Sequence, residues 1–207
     1  MQVLERKKMK RTNNKKPDAG FKERFNKYFD ELKWLYFEIY KNDENAFSFF
    51  VSMLERMYLE RSDDLKAWDK KRTRDPGWYK DNRREGMLLY VDNFADTVNG
   101  VREHLDYLNE TGVNYLHLMP LLESPEGRSD GGYAVSDFRK VDPKLGTMED
   151  LSDLSRECHE KNISICLDFV MNHTSEDHIW AKCAKAGDRG AQDRYFFFDD
   201  WRVPNEI

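Results

Sequence analysis

The stretch ISICLDFVMNHTS, residues 163–175, decides the fold. Its first part, residues 163–170, is nearly all apolar, as expected of a parallel strand that is covered on both faces. Asp168 is the charged exception within it, and Asn172 and His173 follow. An apolar strand ending in such residues predicts a buried sheet whose chemistry lies at the carboxyl ends of its strands.

Two more apolar runs precede this stretch, at residues 87–91 and 113–119, and we interpret both as strands. A helix is predicted over 97–109 because its apolar residues recur on one face. Residues 121–146 form a long polar, glycine-containing loop. The next helix begins at Thr147, and Asp150 three residues later suits a helix start. This alternation of strands and helices predicts an α/β fold with a parallel sheet.

Helices are also predicted before residue 74. Apolar residues at helical spacing form one stripe, and Ser62-Asp63-Asp64 suits the start of another helix. Asp75-Pro76-Gly77 ends the helical region. The stripe is interpreted as core; its members are Phe21, Phe25, Phe29, Leu32, Leu35, Tyr36 and Ile39.

Charge is unevenly distributed along the 207 residues. Residues 1–16 carry +6, and the whole chain carries −5, so residues 17–207 carry −11. We interpret residues 1–19 as a basic, flexible tail, and the acidic remainder argues against a nucleic-acid binder. The charged fraction of 35% exceeds the usual value of about 25%. The 3 cysteines have no metal-binding spacing, which predicts reduced thiols.

Ligands of parallel α/β folds bind beyond the carboxyl ends of the strands. This rule selects Asp92, the loop 121–138 and residues 168–178. The loop contains Asp130-Gly131-Gly132-Tyr133, in which a carboxylate and an aromatic face flank two turn-forming glycines. Such a pair suits the polar edge and the C–H face of a sugar, although Asp-Gly-Gly is also an ordinary turn.

Other residues near these ends have simpler interpretations. His173 taken alone favours a structural histidine, and Glu176 and Asp177 are interpreted as solvated loop charges or helix-start residues. His173 and His178 are not at the helical spacing of a zinc protease motif. The chain also has no GxGxxG, Walker or GxSxG motif. Neither a metal nor another cofactor is predicted.

The stretch 168–173 resembles the first signature region of glycoside hydrolase family 13, the α-amylase superfamily. Residues 115–120 are similar to its second barrel strand, and PEGRSDGGYAV, residues 125–135, resembles the corresponding loop of the amylosucrase group within that family. Further similarity lies at residues 145–147, 172–175 and 184–188. The resemblance covers about residues 20–207.

The resemblance implies a (β/α)8 barrel preceded by an all-helical N-terminal domain. We therefore expect a helical domain over residues 20–80 and the first three barrel strands over residues 86–207. The family's reaction is retaining: one carboxylate attacks the anomeric carbon, and a second carboxyl protonates the leaving oxygen. Amylosucrases transfer a glucosyl unit from sucrose to an α-1,4-glucan or to water, so the implied partners are sucrose and an α-glucan acceptor.

The resemblance also assigns roles to five positions of this sequence. Asp130 would hydrogen-bond the glucosyl ring, Tyr133 would stack on it, and His173 would bind the primary hydroxyl. Asp168 would orient an arginine near the nucleophile. Asn172 matches a position that binds calcium in many amylases, but amylosucrases are generally calcium-independent, so it is assigned a supporting role.

Residues 86–207 are about half of the roughly 250 residues typical of this barrel. In this family the nucleophilic aspartate and the glutamic acid/base follow the third strand, so no catalytic residue is assigned. We expect the 207-residue product to be the N-terminal portion of a longer enzyme and to be inactive and unstable alone, since it exposes a sheet edge.

Two alternatives stay open: another family-13 enzyme, such as a sucrose hydrolase, sucrose phosphorylase or glucan hydrolase, and a non-catalytic sugar-binding remnant. No signal peptide or membrane span is visible, which predicts a cytoplasmic protein without a membrane partner. A homodimer of the full-length parent, formed through the helical segment, is a further hypothesis.

Overall fold

The computed structural model describes residues 16–206. Residues 1–15 of the predicted basic tail (residues 1–19) lie outside the described residues. The chain divides into two compact units, Met1–Trp78 and Tyr79–Ile207. The domain limits 20–80 and 86–207 inferred from the sequence stay a prediction.

The first unit is helical, as the spacing of its apolar residues predicts. Its helices are α1 (Ala19–Tyr40), α2 (Glu44–Glu60) and α3 (Asp63–Arg74). Asp18 caps α1 by accepting a hydrogen bond from the Phe21 amide at 2.8 Å. Such carboxylate caps satisfy amide donors that have no partner within the helix.

Aromatic rings fill the contact between α1 and α2. The ring of Tyr36 lies 5.2 Å from that of Phe47 and 5.4 Å from that of Phe50, measured between centroids. Leu35 and Ile39, which the sequence assigned to the same core stripe, are 45% and 71% exposed. That assignment is wrong for these two residues because the face of α1 that contacts α2 is centred on Tyr36.

The second unit contains a three-stranded parallel sheet and its covering helices. It also contains a separate antiparallel pair of strands. A 3-10 turn, Trp78–Lys80, spans the point in the sequence where the first unit ends and the second begins. The strands are β1 (Gly86–Leu89), β2 (Tyr115–Leu118), β3 (Leu122–Glu123), β4 (Asp137–Val141) and β5 (Ser164–Leu167). The helices are α4 (Val91–Ala95), α5 (Val98–Glu103), α6 (Leu105–Glu110), α7 (Met148–Glu160), α8 (Ile179–Lys185) and α9 (Arg189–Gln192).

The parallel sheet has the order β1-β2-β5. Its register aligns Leu88 with His117 and His117 with Cys166. Burial alternates along β2: Leu116 and Leu118 are fully buried, and His117 between them is partly exposed. Leu88, on the same face as His117, is 59% exposed. The expected coverage of both faces is therefore wrong here, because the core packs against one face only.

The helix predicted over 97–109 is two helices, α5 and α6. They meet at His104, whose backbone angles of φ −96° and ψ 5° depart from the helical region and interrupt the hydrogen-bond ladder. Leu105 and Leu108 still enter the core, since the two short helices keep the same apolar face inward. At α7 the capping box of Thr147 and Asp150 is present, which confirms the predicted helix start.

Further boundaries differ from the sequence-based prediction, and the strand predicted over 163–170 ends at Leu167 as β5. The strand predicted over 87–91 ends at Leu89, and Val91 is buried as the first residue of α4. The loop predicted over 121–146 contains the antiparallel pair β3–β4, with Leu122 opposite Val141. Short apolar runs do not separate strand from helix, and the two residues of β3 are too few to show alternation.

We expect Leu116→Ala to lower the free energy of unfolding by about 2–5 kcal/mol, because it leaves a cavity where a fully buried side chain was. Urea unfolding followed by circular dichroism measures this change. Leu88→Ala is the matched control, since Leu88 is 59% exposed on the neighbouring strand and its loss opens no cavity. Equal losses in both variants would contradict the placement of the core.

Candidate active site

The candidate site lies where the three parallel strands end. Parallel pairing brings the carboxyl ends of β1, β2 and β5 to the same edge of the sheet. Tyr90 follows β1, the loop 121–136 follows β2, and residues 168–173 follow β5. The structure thus brings the segments selected from the sequence to one edge.

Asp168 is the first residue after β5, and both of its carboxylate oxygens accept hydrogen bonds. Oδ1 lies 2.8 Å from Nε2 of His117 on β2, and Oδ2 accepts a bond of 2.7 Å from the Tyr133 hydroxyl. The Tyr133 bond is the main reason that the pKa of Asp168 is lowered, and the His117 bond adds to this against the opposing effect of burial. The carboxylate is therefore ionised at neutral pH.

The same contact acts on Tyr133 in the opposite direction. A phenolate beside an ionised carboxylate is unfavourable, and the hydrogen bond to Asp168 is the largest cause that raises the pKa of Tyr133 to about 12. Tyr133 consequently remains a hydrogen-bond donor up to strongly alkaline pH. Its side chain is 38% exposed, so the ring remains accessible to a ligand.

His173 and Asn172 join this cluster through the backbone of Tyr133. Nε2 of His173 lies 3.2 Å from the Tyr133 carbonyl oxygen, and Nδ1 lies 3.4 Å from Nδ2 of Asn172. Since a carbonyl oxygen only accepts, Nε2 carries the proton and Nδ1 accepts from the amide. Asn172 thereby supports the orientation of the imidazole ring.

Asp130 reaches the cluster through its backbone and not through its carboxylate. Its carbonyl oxygen accepts from the Tyr133 amide at 3.1 Å and closes a turn over Gly131 and Gly132. Both glycines have positive φ, and a Cβ on Gly131 would lie 2.8 Å from Oη of Tyr90. Only glycine fits this turn, whereas the Asp130 side chain points to no partner among residues 16–206.

An ion-pair cluster that the sequence did not reveal connects the two loops. Arg128 bonds Glu176 at 3.1 Å and also pairs with Asp177; Lys185 and Lys182 complete the cluster. The pKa of each carboxyl is lowered, chiefly by its lysine. Glu176 and Asp177 are therefore paired charges rather than purely solvated ones. The cluster was missed because Arg128 lies 48 and 49 residues from the two carboxylates with which it pairs.

A further contact holds the same two loops together. The Ser175 amide donates to the Val135 carbonyl at 2.8 Å, and both residues are buried. With the Arg128 cluster, the His173 contact and the Tyr133–Asp168 bond, this connects the loop after β2 to the segment after β5 at several points. The loops that carry Tyr133 and His173 are thus fixed relative to each other.

His117 is the second feature that the sequence did not single out. It was recognised only as part of a strand, although its alternation with buried Leu116 and Leu118 places it on the other face of the sheet. The parallel register that puts β2 beside β5 then brings it within reach of Asp168. A polar residue inside an apolar strand was the available signal.

A cavity of about 430 Å³ lies beside this cluster. Tyr90, Asp92, Gly131, Gly132 and Asp142 contribute to its walls. Tyr133, Asp168 and His173 do not line this cavity and form a more open surface.

Within residues 16–206, no group of three or more histidine, cysteine or acidic side chains is arranged to hold a metal ion. No helix in that range has the length and apolar character of a membrane span.

The parallel sheet with a polar cluster at its carboxyl edge is the arrangement of an α/β fold with a ligand site at the strand ends. Residues 76–206 match the family described as alpha amylase, catalytic domain. The match covers more than half of the chain, so the chain belongs to the alpha-amylase family, glycoside hydrolase family 13.

Relatives with different activities match the same region. An oligo-1,6-glucosidase of Heyndrickxia coagulans is 36% identical over 128 residues, which is 56% of this chain and 23% of the relative. The alpha-amylase SusG of Bacteroides thetaiotaomicron is 40% identical over 121 residues, 55% of this chain and 17% of the relative. The chain therefore spans less than a quarter of the length of these relatives.

A solved structure supports the same fold. The isomaltulose synthase of Erwinia rhapontici NX5, in a complex with its natural substrate sucrose, superposes with a TM-score of 0.52 and 32% identity. The superposition covers 56% of this chain and 22% of that chain. Together with the parallel sheet, it identifies a partial family-13 barrel. These matches support the family and do not single out amylosucrases.

We expect Asp168→Asn to lower the pKa of Tyr133 from about 12 toward the value of about 10 for a free tyrosine. The substitution removes the negative charge that opposes the phenolate. NMR titration of ring-labelled tyrosine measures the pKa. Asp130→Asn is the control, because only the backbone of Asp130 bonds to Tyr133. A Tyr133 pKa that stays near 12 in Asp168→Asn would contradict the assigned contact.

We expect Arg128→Ala to speed hydrogen exchange at the Ser175 amide by about twofold to fivefold, since exposed ion pairs contribute modestly. Adding salt to the unaltered protein acts in the same direction, because the cluster is exposed and screened. Arg139→Ala is the control: Arg139 is also exposed but pairs with Asp137 on its own strand. Exchange that responds equally to both substitutions would argue against a connection between the loops.

Proposed function

We propose that this chain forms the sugar-binding part of a retaining α-glucosyl transferase of the amylosucrase type, with sucrose as donor and an α-1,4-glucan or water as acceptor. The observation that carries the proposal is the cluster at the carboxyl edge of the sheet, in which Tyr133 is anchored to Asp168 and contacted by His173. An accessible ring beside polar groups matches the chemistry of a sugar.

Each member of the cluster has a part in this proposal. The ring of Tyr133 offers its face to the C–H face of the glucosyl unit. His173 has a proton on Nε2 that it shares with a backbone carbonyl and that it would donate to the primary hydroxyl. The exposed carboxylate of Asp130 accepts from sugar hydroxyls. Asn172 holds the imidazole ring in place.

The bond-breaking step requires two further carboxyl groups. Asp168 is not assigned to either role, because the resemblance gives this position an orienting role and its carboxylate already accepts hydrogen bonds from His117 and Tyr133. The resemblance places the nucleophile and the acid/base on later barrel strands. The proposal therefore assigns binding and orientation of the glucosyl ring to these residues.

Two observations support sucrose as the donor. The loop 125–135 resembles that of amylosucrases almost throughout, and a structurally similar relative is an isomaltulose synthase whose natural substrate is sucrose. A second candidate is an α-glucosidase acting on isomaltose-type linkages. The observation that favours it is the identity of 36–38% to oligo-1,6-glucosidases.

We expect the 207-residue chain to bind sucrose and Tyr133→Ala to bind it about twofold to twelvefold more weakly, because an aromatic contact contributes about 0.5–1.5 kcal/mol. Saturation-transfer NMR with a sucrose titration measures the dissociation constant. Tyr107→Ala is the matched control, since Tyr107 is similarly exposed, at 53%, on helix α6.

The same titration with isomaltose separates the two candidates. Preference for sucrose supports the amylosucrase-type function, and preference for isomaltose supports the α-glucosidase. Undiminished sucrose binding by Tyr133→Ala would refute the proposed binding site. We expect no fructose release by the chain alone, and fructose release would refute the placement of the nucleophile on a later strand.

A further inference from the structure

We infer that His117 is a positioning residue that acts through the Asp168 carboxylate to fix the ring of Tyr133. This inference rests on the proposed sugar-binding function and explains how the binding surface is kept in place. The observation behind it is that one carboxylate joins the two side chains. Its Oδ1 lies 2.8 Å from His117 Nε2, and its Oδ2 lies 2.7 Å from the Tyr133 hydroxyl.

The three residues lie on elements of different rigidity. His117 is flanked by Leu116 and Leu118, which are fully buried, and its strand is paired on both sides. Tyr133, in contrast, lies in the loop after β2 and is 38% exposed. His117 on the central strand is therefore the fixed point: it holds Asp168, and Asp168 holds Tyr133 in the loop.

The hydroxyl contact restricts the ring of Tyr133. An exposed tyrosine that is held only by its backbone samples several side-chain rotamers, and ordering it on binding a ligand has an entropic cost. A second anchor point at the hydroxyl removes much of that freedom before the sugar arrives. The ring then presents one orientation to the glucosyl unit.

Asp168 can accept further hydrogen bonds besides those from His117 and Tyr133, which is compatible with its linking the two side chains. Each carboxylate oxygen accepts more than one hydrogen bond, and the side chain is 22% exposed. His117 is itself 29% exposed, so it does not merely fill the core. A hydrophobic residue of similar volume at position 117 would satisfy the packing and leave Oδ1 without its donor.

A double-mutant cycle tests the inference. His117→Phe keeps a ring of similar size without the donor, and Tyr133→Phe keeps the platform without the hydroxyl. We expect each variant to bind sucrose about fivefold more weakly, and the double variant to bind no more weakly than Tyr133→Phe alone. Effects that multiply in the double variant would overturn the inference. So would undiminished binding by His117→Phe.

Conservative and matched variants complete the test. His117→Gln keeps an amide donor within reach of Asp168 and is expected to restore most of the affinity lost in His117→Phe. Tyr107→Phe removes an exposed hydroxyl on α6 and is expected to bind as the unaltered chain does. If His117→Gln binds as weakly as His117→Phe, the hydrogen bond is not what His117 contributes.

A readout without sugar separates this inference from the proposed function. The pKa of Asp168, measured by carbon-detected NMR titration of its carboxyl group, should rise in His117→Phe and in Tyr133→Phe, since each loses a donor to the carboxylate. His117→Asn, which is too short to reach Asp168, serves if His117→Phe does not fold.

Failure of the proposed function and failure of this inference therefore give different results. Absence of sucrose binding by the unaltered chain, with the Asp168 pKa raised in these variants, would refute the proposed function and leave the hydrogen-bond chain in place. An Asp168 pKa unchanged in both would overturn the inference itself.

Discussion

The parallel pairing of β1, β2 and β5 is the constraint on which the rest of the second unit depends. Parallel strands place all their carboxyl ends at one edge. The segments that follow the strands therefore lie close together there, although they are far apart in sequence. The pairing also buries one face of the sheet, where Leu116 and Leu118 contact the helices. The other face keeps His117 available for the site.

The site is built by contacts between loops as much as by the strands. Asp168 draws together one residue from β2 and one from the loop after β2, and the Arg128 cluster joins that loop to the segment after β5. A carboxylate that accepts two donors stays ionised, and its charge keeps the tyrosine hydroxyl protonated. The same contacts therefore set both the protonation states of Asp168 and Tyr133 and the orientation of the Tyr133 ring.

The proposed contacts can be compared with the activities found in the family. The alpha-amylase family includes relatives that act on different glycosidic linkages. In the proposed function, Tyr133, His173 and Asp130 bind the glucosyl ring and do not select the linkage. The choice between sucrose and other donors is accordingly a question for ligand binding.

The sequence determined the class of fold and indicated the place of the candidate site. Apolar runs at three positions predicted the parallel strands, and the Thr147 capping box set the start of α7. Tyr133, Asp168, Asn172 and His173 were selected from motifs and from the rule about strand ends, because these signals are local in the chain. The joining of β3 to β4 and the interruption at His104 were not visible at that level.

Only the tertiary structure decided how the selected residues are connected. His117 meets Asp168 across 51 residues, and Arg128 meets Glu176 across 48. Neither contact has a sequence signature, since it depends on the register of β2 against β5 and on the path of a loop turned by Gly131 and Gly132. The physical reason is that hydrogen bonds and ion pairs act over a few ångströms in space, whereas sequence patterns report only neighbours along the chain.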